Sequence, residues 1–184
     1  MTALITRAEL DRTSVLLALD VDGVLCPFND GWMPVRKPVR TKHGPTFLIG
    51  YHPEIIQALD DTVRQYGIQI GWTTTWGRNV KALIEQAFDG LLSGGAVLVK
   101  RPKRYRGHVP ADWKATGIAA YVRKTGQPWV WAEDESIGMA RLDGALDDGR
   151  FGNAPRLLLE TDHDVGLTME HLDELRAFCE IVTA

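Results

Sequence analysis

Five apolar residues, Val15-Leu16-Leu17-Ala18-Leu19, run without interruption into Asp20, and Val21-Asp22-Gly23-Val24-Leu25 follows. A continuous apolar run of this length suits a strand buried on both faces of a parallel sheet. An acid at the end of such a strand is costly unless the strand ends at a site. In open α/β sheets ligands bind at the carboxyl ends of the strands. Asp20 and Asp22 would share one face if the strand continued, and Gly23 lets the backbone turn tightly beside them.

The rest of the chain repeats the pattern. Strands are expected at Ile68–Trp72, Ala96–Val99, Trp129–Ala132 and Arg156–Glu160. Helices are expected from Pro53, from about Arg78, after Asp112, and after Thr168. Pro53 suits a first helical turn, Gly67 and Gly126 suit helix ends, and Thr168 suits an N-cap. Strands that alternate with helices imply parallel βαβ units, hence a three-layer α/β sandwich around a mainly parallel, Rossmann-like sheet. Right-handed crossovers bring every strand's carboxyl end to one edge. Asp20, the Thr73-Thr74-Thr75 cluster and Glu133-Asp134-Glu135 should therefore converge.

Between Cys26 and Tyr51 the composition changes to four prolines, three glycines and four basic residues. That stretch reads as a flap or small hairpin over about 26–52, inserted in a single domain of 184 residues. A chain of this size buries roughly 70% of its unfolded surface, so it needs no disulfide staple. Cys26 and Cys179 fit no metal or redox spacing and read as free thiols of a reducing, cytoplasmic compartment. Arg7, Glu9, Asp11 and Arg12 interrupt any apolar leader, and no stretch approaches a membrane span. The net charge of −3 argues against general nucleic-acid affinity. Local patches are another matter: Lys100 to His108 carries five Lys/Arg and Tyr105, a candidate anion-binding rim in which Arg104 is a substrate-binding candidate.

Like charges ~4 Å apart cost about 4 kcal/mol at an effective dielectric near 20. Converging Asp20, Asp22, Glu133 and Asp134 therefore need either a cation or protonation of some of the acids, and hard carboxylate oxygens suit Mg²⁺. Asp-x-Asp-Gly-Val-Leu after an apolar strand resembles the first motif of the haloacid dehalogenase (HAD) superfamily of phosphohydrolases. Trp72-Thr73-Thr74-Thr75-Trp76, Trp113-Lys114 and Trp131-Ala132-Glu133-Asp134-Glu135 resemble the subgroup of HAD domains in RNA-repair proteins, over roughly residues 15 to 180.

The resemblance implies a Mg²⁺-dependent phosphatase acting through an aspartyl-phosphate on a phosphomonoester, either a small molecule such as a nucleotide or a nucleic-acid end. It implies Asp20 as nucleophile and Asp22 as general acid and base. Thr74, or Thr73 if the strand ends one residue earlier, would bind the phosphoryl group. Lys114 would neutralise charge; it lies 134 − 114 = 20 residues before Asp134 and fits better than Lys100. The metal ligands would be Asp20, Asp134, Asp22 through its main-chain carbonyl, and Glu133 directly or through water. The subgroup usually has two aspartates where this chain has Glu133-Asp134. A HAD-fold module that binds a phosphorylated partner without turnover is the alternative.

Overall fold

A computed structural model of the chain describes residues 4–29, 33–42, 44–102 and 112–184. Five strands form one parallel sheet: β1 (Leu16–Leu19), β4 (Gln69–Trp72), β5 (Ala96–Val97), β6 (Trp129–Glu133) and β7 (Arg156–Glu160), in the order β5-β4-β1-β6-β7. Strand β1 is central, with Leu19 opposite Trp72 on one side and Ala132 on the other. That position explains its unbroken apolar sequence. Strands β2 (Val35–Arg40) and β3 (Thr46–Tyr51) pair antiparallel as a separate hairpin in the stretch expected to form a flap. Pro38 sits within β2, which a two-stranded ribbon tolerates because one edge of each strand is free.

Helices cover both faces of the sheet. Helices α1 (Pro53–Gln65), α2 (Val80–Gln86) and α5 (Met169–Thr183) pack on the side reached by Leu17, Leu19, Val130 and Ala132. Helices α3 (Trp113–Thr125) and α4 (Ser136–Leu142) pack on the side reached by Leu16, Ala18, Trp129 and Trp131. Strand alternation thus assigns each residue to a layer. Trp72, Trp129 and Trp131 are wholly buried and pack the sheet.

Local signals act as the sequence implies. Gly67 and Gly126 take left-handed backbone at the ends of α1 and α3. Thr168 caps α5 in a reciprocal capping box with His171. Three element boundaries differ. Strand β1 stops at Leu19, β5 has only two residues, and a short 3₁₀ turn, Gly77–Asn79, precedes α2. Asp112 precedes α3 without a side-chain capping bond.

Candidate active site

Asp20 and Glu133 reach the same place because of where they fall in their strands. Asp20 continues the face of Leu16 and Ala18, and Glu133 continues the face of Trp129 and Trp131. Both acids therefore turn toward α3, whose first turn carries Lys114. The Lys114 Nζ donates to Asp20 Oδ2 at 2.5 Å and to Glu133 Oε1 and Oε2 at 2.7 and 2.8 Å. All three side chains are buried.

The electrostatics follow from that burial. Burial pushes the Asp20 carboxyl up against the pull of Lys114. Burial, reinforced by the charge of Asp20, pushes Glu133 up to about 8, again against Lys114. Burial alone would lower Lys114, but attraction to Asp20 and Glu133 outweighs it, so the ammonium is held above its ordinary value. Lys114 is the counter-charge that Asp20 and Glu133 share, which lets two buried acids coexist.

Asp134 completes an acidic cluster. Oxygens of Asp20, Glu133 and Asp134 all lie within 4.8 Å of one another. Asp20 Oδ1 is buried and meets no donor among the described residues. A hard-oxygen donor set with an unpartnered buried oxygen fits a divalent cation. Gly23 makes room for this arrangement. A Cβ on it would lie 2.3 Å from Asp134 Oδ2, and its φ of +73° falls in the left-handed region. Thr161 Oγ1 donates to the Gly23 carbonyl at 3.0 Å, tying the loop after β7 to the same turn.

Asp22 does not share the face of Asp20. The chain leaves the sheet after Leu19, and Gly23 N–H bonds back to the Cys26 carbonyl. The Asp22 carboxylate instead accepts Trp76 Nε1–H at 3.0 Å and Thr75 Oγ1–H at 3.3 Å. Trp76 and Thr75 are thus contacts of the candidate acid. Thr75 belongs to the threonine cluster and Trp76 adjoins it, but no sequence signal ties either to Asp22.

The two threonines are separated by their bonding. Strand β4 ends at Trp72, and Thr73 N–H bonds to the Leu19 carbonyl. Thr73 Oγ1 is buried with no partner among the described residues, whereas Thr74 Oγ1 accepts the Trp76 N–H at 3.3 Å. Lys100, the competing lysine, is exposed and lines a different cavity with Arg78 and Lys81. Arg104 and Tyr105 of the basic loop, and His43, lie outside the described residues. His52 precedes α1 and pairs with Glu54 at 3.2 Å.

An open, parallel-sheet α/β sandwich with an acidic centre at the carboxyl end of its middle strand defines the class. The family model for the HAD domain in Swiss Army Knife RNA repair proteins matches residues 16–172, so the chain belongs to that family. It is a HAD-type hydrolase domain with a buried acidic cluster suited to a metal. No curated protein and no solved structure matches the chain significantly. Among the described residues, no helix is long and apolar enough to cross a membrane.

Proposed function

We propose that the chain is a Mg²⁺-dependent phosphatase that forms an aspartyl-phosphate on Asp20. The observation that carries this is the buried bridge of Lys114 between Asp20 and Glu133, with Asp134 beside them. A nucleophilic carboxylate must be held in one rotation and kept ionised. Lys114 holds the rotation by binding one Asp20 oxygen, draws the carboxyl toward ionisation against the effect of burial, and leaves the other oxygen without a partner among the described residues.

Asp20 attacks phosphorus, the bond from phosphorus to the leaving oxygen breaks, and Asp22 gives that oxygen its proton. Asp22 then takes a proton from water as the water attacks the phosphoryl group on Asp20. That step releases inorganic phosphate, frees the Asp20 carboxylate and returns Asp22 to its protonated form. Trp76 and Thr75 hold Asp22 in place for both transfers. Thr73, with Thr74 beside it, donates to a phosphoryl oxygen. Lys114 offsets the charge that develops there. Asp20, Asp134 and the main-chain carbonyl of Asp22 would hold Mg²⁺. Glu133 gives both oxygens to Lys114 and would reach the ion through water. When bound, the ion neutralises the phosphoryl oxygens and orients them.

The family description names RNA repair proteins. It supports a phosphorylated nucleotide or nucleic-acid end as the substrate. Hydrolysis of an aryl phosphate with and without Mg²⁺, by wild type and Asp20→Asn, tests the reading. Wild-type activity should require Mg²⁺ and be abolished in the variant. Activity that survives Asp20→Asn contradicts the assignment of the nucleophile.

A further inference from the structure

Beside the acidic centre lies a second feature, which meets it at Asp22. A cleft of about 400 Å³ opens between the β2–β3 hairpin, the turn after β1 and the 3₁₀ turn before α2. Its size falls within the ~300–1,000 Å³ of ordinary small-molecule sites. Asp22 lies on its wall, while Asp20, Lys114 and Glu133 do not.

The lining has a definite chemistry. Phe28, Phe47 and Leu48 face the cleft and stay 59%, 42% and 60% exposed. The Phe47 ring is tilted against Trp76 with centroids 5.2 Å apart. Three large apolar side chains left open around one concavity call for an occupant. Thr41 and Asn79 add neutral hydrogen-bonding groups, and no Lys or Arg is among the described lining residues. The occupant is therefore flat, largely apolar on its faces and uncharged, with polar atoms at its rim.

Position identifies which part of a substrate this is. Resting on the phosphatase reading above, Asp22 protonates the leaving oxygen, so the leaving group lies on the Asp22 side of phosphorus. The space on that side is the cleft. We infer that this cleft is the leaving-group subsite and that it takes the nucleobase of a phosphorylated nucleoside, stacked on Phe47 and Trp76. Trp76 has two tasks here: its ring walls the subsite and its N–H holds Asp22. A ring seated in the cleft packs directly against the residue that aims the acid. The nucleoside comes from either a mononucleotide or the terminal residue of a strand, and both present the same base, sugar and phosphate.

The test compares 3′- and 5′-nucleoside monophosphates, a short oligonucleotide with a terminal phosphate, and glycerol phosphate as substrates. Wild type, Phe47→Ala and the remote surface control Leu142→Ala are each assayed. Separately, calorimetric titration with an unphosphorylated nucleoside measures the cleft without any turnover. Wild type should bind the nucleoside and prefer the nucleotides to glycerol phosphate. Phe47→Ala should weaken nucleoside binding and raise the nucleotide KM by about 10- to 100-fold, the scale of one lost base-stacking contact. Its glycerol phosphate kcat/KM should fall much less than its nucleotide kcat/KM, and circular dichroism reports that it is folded. Leu142→Ala should change neither. The relative KM of mononucleotide and oligonucleotide then separates the two sources.

No nucleoside binding, or a Phe47→Ala effect equal on nucleotides and glycerol phosphate, overturns the subsite while leaving the phosphatase standing. Phe47-dependent nucleoside binding by a protein that hydrolyses none of the phosphates supports the nucleobase site, removes the phosphatase reading and with it the leaving-group role.

Discussion

Lys114 sets the electrostatics of the centre, because it is the ammonium that two buried carboxylates share. Lys114→Met should lower kcat about 10²- to 10³-fold, as loss of one preorganised charge-stabilising donor does. It should also destabilise the fold by roughly 3 kcal/mol near neutral pH by leaving Asp20 and Glu133 facing each other, read from chemical denaturation. An unchanged kcat in a folded Lys114→Met protein removes the lysine from the chemistry. Asp22 is aimed by Trp76, so Trp76→Phe should cut kcat roughly tenfold, consistent with one hydrogen bond to a charged group. The two threonines part in a similar way. Thr73→Val should cost activity with little change in stability, since its hydroxyl has no described partner. Thr74→Val should instead loosen the turn that it anchors. The thiols supply a pH test. Burial, then the charge of Glu180, raises Cys179 to about 11, and burial, then Asp22 and Asp20, raises Cys26 well above its ordinary value. A raised thiol pKa means that the proton is retained, so at pH 8 neither is a thiolate and both should alkylate slowly until denaturant exposes them. Rapid native-state alkylation of Cys26 contradicts its burial.

At the scale of elements, the turn after β1 places the acids, and two outside contacts hold it. Thr161 bonds the Gly23 carbonyl, and Leu167 N–H bonds the Val24 carbonyl at 2.8 Å. Gly23→Ala would put a methyl group into Asp134 and ask a left-handed backbone of a residue with a Cβ. Mg²⁺ affinity, read from the metal dependence of activity, should fall in this variant more than thermal stability does. The converse result removes Asp134 from the metal site.

The sequence made the parallel strands and their terminal acids legible for a physical reason: strands buried on both faces need unbroken apolar runs, and β1 and β6 have them. The hairpin was less legible. Arg36, Lys37 and Pro38 break the strand pattern of β2, which one two-stranded ribbon with polar outer positions allows. The separation of Asp22 from Asp20 depends on a turn closed by backbone bonds from Gly23 and Cys26, and residue spacing carries no record of it. Likewise, that both Glu133 oxygens meet Lys114 depends on the α3 layer packing over the face of Trp129 and Trp131, a tertiary fact.

For the whole molecule, the sandwich delivers residues from four separate segments to one end of its central strand. Asp20 follows β1, Thr73 follows β4, Lys114 lies in the first turn of α3, Glu133 ends β6 and Asp134 follows it. A ligand that joins such segments should stabilise the assembled fold over the unfolded chain. Mg²⁺ should therefore raise Tm in wild type and not in Asp134→Asn; an equal rise in both places the ion elsewhere. The central claim is the covalent step on Asp20. Its most direct test is a single turnover with enzyme in excess over a phosphomonoester, quenched in acid at increasing times and read by peptide mass spectrometry. The account predicts a transient, alkali-labile phosphoryl group on the peptide that contains Asp20, gone once the turnover is complete. Product formed through the whole turnover with that peptide unmodified at every quench time would contradict it.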